Sequence, residues 1–237
     1  RFFVKLDSTD IAIRCLSCQA SLVTLSLVNV LRSAVDISES SVYELSARGP
    51  LVSYLKKACK DLTCSEFFDD IAPGSYRNGV VCQDVQQLTF KDQTFDVCTS
   101  LEVFEHVPAD DKGFAEVYRV LKDKGIFVFT VPLDLSADTL ERATLGVDGK
   151  IEHMTSPEYH IDPLRNNAPI LAFRTYGLNI VNSLIAAGFQ RAEIRQSKLF
   201  SPWGYARPVV VAYKKWAPDH ELQSDPLLVH HATGSIG

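Results

Sequence analysis

Two apolar runs constrain the fold of this chain more than any other feature of its sequence. They are Phe95–Ser100 (FDVCTS) and Ile126–Val131 (IFVFTV), and each has the length of a strand. Such strands, alternating with helical segments, indicate a parallel sheet that is covered by helices on both faces. The sequence therefore predicts an α/β fold with a doubly wound, mostly parallel sheet.

Apolar periodicity and turn residues place further elements around these runs. Helices are predicted over 19–35, from Pro50 through LVSYLKKAC, over 110–121, and over 178–187 with Gly188 as the closing residue. Five more strands are predicted: Ser41–Ser46, Leu62–Phe68, Asn78–Asp84, Ala192–Gln196 and Val209–Tyr213. Together with the two apolar runs they make a seven-stranded sheet.

The alternating pattern is interrupted between residues 133 and 170. This stretch contains Pro157, Pro163 and Pro169, and we interpret it as an insertion with little regular structure that covers a substrate. The chain is accordingly divided into an N-terminal helical segment (1–40), a main domain (41–216) that contains the insertion, and a loosely held polar tail (217–237).

The composition argues against several functional classes. Hydrophobic residues make up 46% of the 237 and charged residues 22%, as in globular proteins, and the net charge of −5 disfavours a broad nucleic-acid surface. No apolar run approaches the roughly 18 residues of a membrane span. The cysteine usage and the lack of a recognisable secretory signal favour a reducing, cytoplasmic setting. We therefore expect no nucleic-acid or membrane partner, and the oligomeric state stays open.

Polar groups stand at the predicted carboxyl ends of four strands. They include Glu44, Glu66, Asp84 and Glu102. Ligands of open parallel sheets bind beyond these strand ends, and a carboxylate about 20 residues after the first strand end commonly binds ribose hydroxyls. Glu66 has this spacing from Glu44. The alternative for each acid is a helix-capping or solvated role, and Glu105 also suits the first turn of a helix.

The run QDVQQLTFKDQTFDVCTSLEVFEHVPADDKGFAEVYRVLKDKGIFVFTVP resembles the central stretch of class I S-adenosylmethionine-dependent methyltransferases, in particular the type 11 group that acts on small molecules. Four motifs of that family occur in order: D-x-x-x-L-x-F, F-D-x-x-x-S, E-H-V and R-V-L-K-x-x-G. The resemblance covers roughly 41–132, with weaker support to 215. It implies a Rossmann-like methyltransferase fold, S-adenosylmethionine as cofactor and methyl transfer to an oxygen or nitrogen of a small molecule, with a protein acceptor as the alternative.

The resemblance also implies roles for individual residues. Glu44 corresponds to the acid near the amino-acid part of the cofactor, and Glu66 to the acid that pairs with the ribose. Asp84 corresponds to the acceptor for the adenine amino group, with the backbone N–H of Val85 beside it. The remaining residues of this set line the methionine side and the junction with the substrate: Ser100, Leu101, Glu102 and His106.

The first loop departs from the family pattern. In place of a D-x-G-x-G-x-G run the chain has E-L-S-A-R-G-P, so that Gly49 alone keeps a glycine and Ser46 occupies a close-approach position. Small residues still permit backbone to approach a ligand, whereas Arg48 is expected to point away. A sulfonium cofactor has no phosphate to bind, which lowers the need for glycine.

Three histidines are candidates for a catalytic base toward a hydroxyl acceptor. They are His106, after the fourth strand, and His153 and His160 in the insertion, where Asp162 is predicted to orient His160. Each histidine could instead have a surface or structural role. Methyl transfer by in-line displacement depends mainly on holding nucleophile, methyl group and sulfur in line.

Two other functional hypotheses remain open from the sequence. A nicotinamide-dependent oxidoreductase could use the same sheet, although G-x-G-x-x-G is absent, and a binding module could have kept the fold without turnover. Cys15 and Cys18 form a single C-x-x-C, whereas a structural zinc site needs four ligands. We predict no metal ion from the sequence, with a half-site completed by Cys59 or Cys64 as the alternative.

Overall fold

The structure is a computed structural model that describes residues 3–5, 13–162, 168–197, 207–215 and 228–231, with backbone alone for residue 162 and for 228–231. The helices are α1 (Leu22–Ala34), α2 (Pro50–Ala58), α3 (Asp110–Val120) and α4 (Ile180–Ala186), with a short 3₁₀ helix at Phe104–His106. The strands are β1 (Phe3–Lys5), β2 (Ile13–Cys15), β3 (Ser41–Glu44), β4 (Asp61–Glu66), β5 (Tyr76–Arg77), β6 (Val80–Cys82), β7 (Phe95–Leu101), β8 (Leu121–Thr130), β9 (Leu133–Asp134), β10 (Leu140–Glu141), β11 (Ala143–Leu145), β12 (Ile151–His153), β13 (Glu158–Asp162), β14 (Ala168–Ala172), β15 (Arg174–Gly177), β16 (Arg191–Gln196), β17 (Pro208–Tyr213) and β18 (Leu228–His231).

Nine of these strands form one sheet in the order β18-β16-β17-β8-β7-β3-β4-β6-β5. Its centre, from β8 to β6, is parallel, and the strands on either side of that centre pair antiparallel. The predicted doubly wound α/β sheet is therefore confirmed. The seven expected strands are present, and the short edge strands β5 and β18 extend the sheet.

The apolar character of β8 explains why both faces of the sheet are covered. Successive side chains of a strand point to opposite faces. Phe127 and Phe129 join a core with residues of α3 and α4, such as Phe114, whereas Ile126 and Val128 join a second core with residues of α1 and α2. Each face of the central sheet thus has its own hydrophobic core.

Helix ends follow from local sequence. The side chain of Ser21 accepts a hydrogen bond from the Thr24 N–H, at 3.1 Å, and caps α1. Helix α2 begins with Pro50 directly after Gly49, whose φ of +97° favours glycine. Gly49 and Pro50 therefore set where α2 starts relative to the end of β3.

Three expectations about the less regular regions were wrong. Residues 133–170 contain antiparallel hairpins, β11 with β12 and β13 with β14, because short exposed hairpins tolerate the Pro169 that interrupts the sequence pattern. The N-terminal segment holds the β1–β2 pair as well as α1. The tail contributes β18, which pairs with β16 at the sheet edge.

Candidate functional site

The four acidic strand ends lie along one edge of the sheet, because β3, β4, β6 and β7 are parallel. Glu44 is opposite Thr99 of β7 and Cys64 of β4 in the register of the sheet. The carboxyl edge of a parallel sheet is where ligands bind. The predicted site residues of this edge are therefore brought together by the topology.

Glu44 is an ionisable side chain buried at this edge, with only 1% of its surface exposed. The hydroxyl of Thr99 donates a hydrogen bond to Oε2, while Oε1 has no hydrogen-bond partner among the described residues. Burial raises the pKa of Glu44 to about 8, against hydrogen bonds from Thr99 and the Ser46 backbone that lower it. A cation placed at Oε1 would satisfy this carboxylate.

The glycine-poor loop after β3 folds around Glu66. Its Oε1 accepts hydrogen bonds from the Ser46 hydroxyl (3.3 Å) and the Ala47 N–H (3.2 Å). The Arg48 Nε lies 3.6 Å from the same oxygen, so that Arg48 turns toward the acid and not away from the site as expected. Attraction between the guanidinium and the carboxylate explains why Arg48 turns inward. The Arg48 side chain is half exposed, so this attraction is screened by solvent.

Asp84 and Val85 follow β6 in a tight turn. The Asp84 carboxylate accepts hydrogen bonds from the backbone N–H of Gln86 (2.9 Å) and from its side-chain amide (3.0 Å). The Val85 side chain packs into the core beneath α3. The turn therefore holds the carboxylate of Asp84 in place, with Val85 as its anchor.

The end of β7 carries three predicted site residues. Ser100 is fully buried and its hydroxyl has no hydrogen-bond partner within the described part of the chain. Leu101 is the last residue of the strand, and Glu102 follows with a φ of +52°, a conformation that is uncommon for a residue other than glycine. Burial and, next, the charge of Glu105 raise the pKa of Glu102 to about 7. Backbone strain of this kind concentrates at functional sites.

His106 and His160 meet at a buried carboxylate that the sequence analysis did not assign to the site. The Oε1 of Glu105 lies 3.7 Å from His106 Nε2 and 3.7 Å from His160 Nδ1. The neighbouring Glu105, followed by Glu158, raises the pKa of His160 against the effect of burial. His160 reaches this cluster from β13, which shows that the insertion contributes to the edge of the sheet.

The described carboxylate neighbours of His160 are Glu105 and Glu158, the latter 3.2 Å from Nε2. The predicted partner Asp162 is described by its backbone alone, so its side chain lies outside the described residues. His153 is exposed on the β11–β12 hairpin. Of the three candidate histidines, His106 and His160 therefore lie together, and His153 lies apart from them.

Arg174 holds the 3₁₀ segment that carries Glu105 and His106. Its guanidinium donates to the carbonyl oxygens of Val107 (2.6 Å), Pro108 (2.8 Å) and Phe104 (3.3 Å). The hydroxyl of Tyr176 also donates to Phe104 O, at 3.3 Å. These groups of β15 therefore position the cluster.

Comparison with known proteins extends these observations. Residues 32–129 match the family model described as a methyltransferase domain. An uncharacterized protein of Methanocaldococcus jannaschii is 33% identical over 84 residues, which are 35% of this chain and 36% of that protein. The match thus spans about a third of the length of this curated relative.

Two solved structures share the fold. One is an S-adenosylmethionine dependent methyltransferase from Mesorhizobium loti, 14% identical, with a TM-score of 0.51 over 79% of this chain and 97% of the other. The second is a proposed S-adenosylmethionine dependent methyltransferase from Listeria monocytogenes, 12% identical, with a TM-score of 0.51 over 82% and 99% of the two chains. Within the described residues, no helix is both long and apolar enough to span a membrane.

Proposed function

We propose that this chain is a class I S-adenosylmethionine-dependent methyltransferase, as its match to a methyltransferase domain over residues 32–129 supports, and that it transfers the sulfonium methyl group to an oxygen or nitrogen of a small-molecule acceptor. The family supplies the cofactor, S-adenosylmethionine, which brings an activated methyl group. The remaining chemistry is positioning of the acceptor and removal of its proton.

One observation carries the proposal: among the described residues, no group hydrogen-bonds to Oε1 of the buried Glu44 at the edge of the sheet. An isolated buried carboxylate is costly unless a cation or hydrogen bonds compensate it. The ammonium group of an amino acid satisfies this need, and the Ser100 hydroxyl, which has no hydrogen-bond partner in the described part of the chain, lies on the neighbouring strand β7. These groups fit the methionine part of the cofactor.

The other predicted residues suit the nucleoside part. Glu66 would accept hydrogen bonds from the ribose hydroxyls. These would replace or accompany the hydrogen bonds that Ser46 and Ala47 donate to it. Asp84, held by Gln86, would accept from the adenine amino group, with the Val85 N–H next to it. Gly49 and Ser46 would allow the loop to approach the ligand closely.

In this proposal, His106 and His160 activate the methyl acceptor. His106 and His160 meet at Glu105, and the charges of Glu105 and His160 act on Glu102, which directly follows β7. An imidazole nitrogen within hydrogen-bond reach of an acceptor hydroxyl would take its proton as the methyl group is transferred. Asp162 stays a proposed member of this group, with its backbone on the same strand as His160.

Thermal unfolding with added ligands tests the cofactor assignment. S-adenosylhomocysteine at about 100 times its Kd should raise the Tm by roughly 5–10 °C, whereas NAD should leave it unchanged. Glu66→Gln and Asp84→Asn should lose most of the shift, and Asp69→Asn, an exposed change of the same kind, should retain it. A shift with NAD alone would instead support the oxidoreductase alternative, and no shift with either ligand would support a module without cofactor.

A further inference from the structure

The group formed by Glu105, His106 and His160 has the composition and spacing of a metal site. Its three candidate ligand atoms lie within 4.8 Å of one another, with Glu105 Oε1 3.7 Å from a nitrogen of each imidazole. The two rings contact each other edge to face, with centroids 4.9 Å apart. Donor atoms that each lie about 2.0–2.2 Å from a common ion are separated by about 3–4 Å, so small side-chain rotations would bring all three to one ion.

Glu105 is buried beside two imidazoles, which are its nearest described partners for charge. Its side chain is 0% exposed, and neither carboxylate oxygen has a hydrogen-bond partner among the described residues. The two imidazoles at 3.7 Å are beyond hydrogen-bond distance. A buried carboxylate without partners is normally avoided unless it pairs with a charge or binds a metal.

In each imidazole, one nitrogen faces Glu105 and the other has a hydrogen-bond partner on the opposite side of the ring. That partner determines which nitrogen of the neutral ring carries the proton. His106 Nδ1 is 2.8 Å from the carbonyl oxygen of Leu171, which can only accept, so Nδ1 carries the proton and Nε2 presents a lone pair. His160 Nε2 is 3.2 Å from Glu158 Oε1, so in the neutral ring Nδ1 presents the lone pair.

With both rings neutral, two lone pairs and a carboxylate converge at this point. A metal cation between them would balance the negative charge of Glu105; a proton on His160 would do so in its place, and nitrogen NMR distinguishes the two. Outer partners of this kind, a carbonyl for one imidazole and a carboxylate for the other, are the usual supports of metal-binding histidines. Glu158 is itself held by Arg142, whose Nη2 lies 2.8 Å from Oε2.

We propose that Glu105, His106 and His160 bind one divalent transition-metal ion. Two imidazoles with one carboxylate suit Zn²⁺, Fe²⁺, Mn²⁺ or Co²⁺ and leave coordination positions open. Two of the ligands are adjacent on the 3₁₀ helix and the third comes from β13, so the ion would also tie the hairpin to the edge of the sheet.

The chemical role of the ion rests on the proposed function. With the ion bound, both imidazoles act as ligands, and the ion replaces them in activating the acceptor. A hydroxyl of the acceptor bound at an open position would lose its proton to solvent more readily, because the cation lowers the pKa of a bound O–H group. The resulting oxygen forms a bond to the methyl carbon as the carbon–sulfur bond breaks. The sulfur keeps that electron pair, and the sulfonium becomes the neutral thioether of S-adenosylhomocysteine.

Metal binding can be measured without any turnover. Metal-free full-length chain is titrated with Co²⁺, and the visible absorption of the bound ion and the calorimetric stoichiometry are followed. We expect one ion per chain, with Zn²⁺ displacing Co²⁺. Glu105→Gln and His160→Asn should weaken binding by at least about 100-fold, and Glu158→Gln, which removes an outer partner, by about 10- to 100-fold.

Two control variants test whether the ion binds at this cluster and independently of the cofactor residues. His153→Asn changes an exposed histidine of the neighbouring hairpin and should leave binding unchanged. Glu44→Gln should also bind Co²⁺ normally, so failure of the cofactor assignment would leave the metal site standing. The proposal is overturned if binding is not stoichiometric, if Glu105→Gln binds as tightly as the parent chain, or if nitrogen NMR shows His160 doubly protonated and paired with Glu105 in the presence of metal.

Discussion

Replacement of Glu44 by glutamine is expected to stabilise the cofactor-free protein at pH 8 while it weakens S-adenosylhomocysteine binding by about 10- to 100-fold. The two effects have opposite directions because the same buried carboxylate is costly without a cation and useful with one. Few structural side chains would give a gain in stability together with a loss of affinity. The combination therefore identifies a binding residue.

The stability effect follows from the raised pKa of Glu44. Its pKa is about 8 in the folded chain, above the ordinary value of 4.5. Between these values the folded chain keeps a proton that the unfolded chain releases, so stability falls as pH rises from about 4.5 to about 8 and then levels off. Glutamine does not titrate, and the advantage of Glu44→Gln should grow over this interval. Urea unfolding of both chains between pH 5 and pH 9 measures it.

The binding effect follows from charge. At pH 7 the carboxyl of Glu44 is largely protonated, and an ammonium group at its free oxygen would lower the pKa and displace that proton. Calorimetric titration with S-adenosylhomocysteine in buffers of different ionisation enthalpy should therefore show proton release in the parent chain and little in Glu44→Gln.

Glu39→Gln is the matched control, because Glu39 is an exposed glutamate whose ion pair with Lys60 is at the surface. It should change neither affinity nor the pH dependence. Unchanged affinity in Glu44→Gln would remove Glu44 from the cofactor site. Lower stability of that variant at pH 8 would show that its negative charge is compensated in the free protein.

The sheet and its ligand-binding edge could be predicted because the signals are local. The strands β7 and β8 contain contiguous apolar runs, and each site acid lies at or just after the end of its strand: Glu44 and Glu66 end β3 and β4, and Glu102 follows β7. Parallel pairing then places these ends on one edge without further information. The cofactor was implied by the resemblance to a known family, and the methyltransferase-domain match over residues 32–129 agrees with it.

Contacts between distant segments could not be predicted in this way. The Glu105–His106 pair and His160 are far apart in sequence and lack a regular ligand spacing, so motif reasoning finds no metal site there. Glu158, two residues before His160, contacts its ring, whereas sequence reasoning chose Asp162, two residues after it. A sequence period of two predicts either position on the same face as His160, so sequence alone does not distinguish them. The contact of Arg48 with Glu66 likewise depends on how the loop folds back.

Replacement of Arg174 by methionine is expected to lower the free energy of unfolding by about 3–5 kcal/mol. Arg174 is almost fully buried and donates to three carbonyl oxygens of the 3₁₀ segment. Its guanidinium also lies 3.2 Å from Glu141 and 3.5 Å from Asp110. Methionine retains the apolar stem but removes the guanidinium from these oxygens, and of them Phe104 O keeps the Tyr176 hydroxyl and the Val107 N–H as donors. Guanidinium chloride unfolding of parent and variant gives the difference.

The loss should extend to the Glu105–His106 segment, because Arg174 fixes the carbonyls on either side of it. Arg174→Lys keeps the charge but cannot reach three carbonyls with one ammonium group, so it should fall between the parent chain and Arg174→Met. Arg77→Met, which breaks a surface ion pair with Asp70, should cost less than about 1 kcal/mol. If Arg174→Met were as stable as Arg77→Met, the buried guanidinium would not hold the segment, and the position of His106 would depend on the Leu171 carbonyl and the aromatic contacts of Phe104.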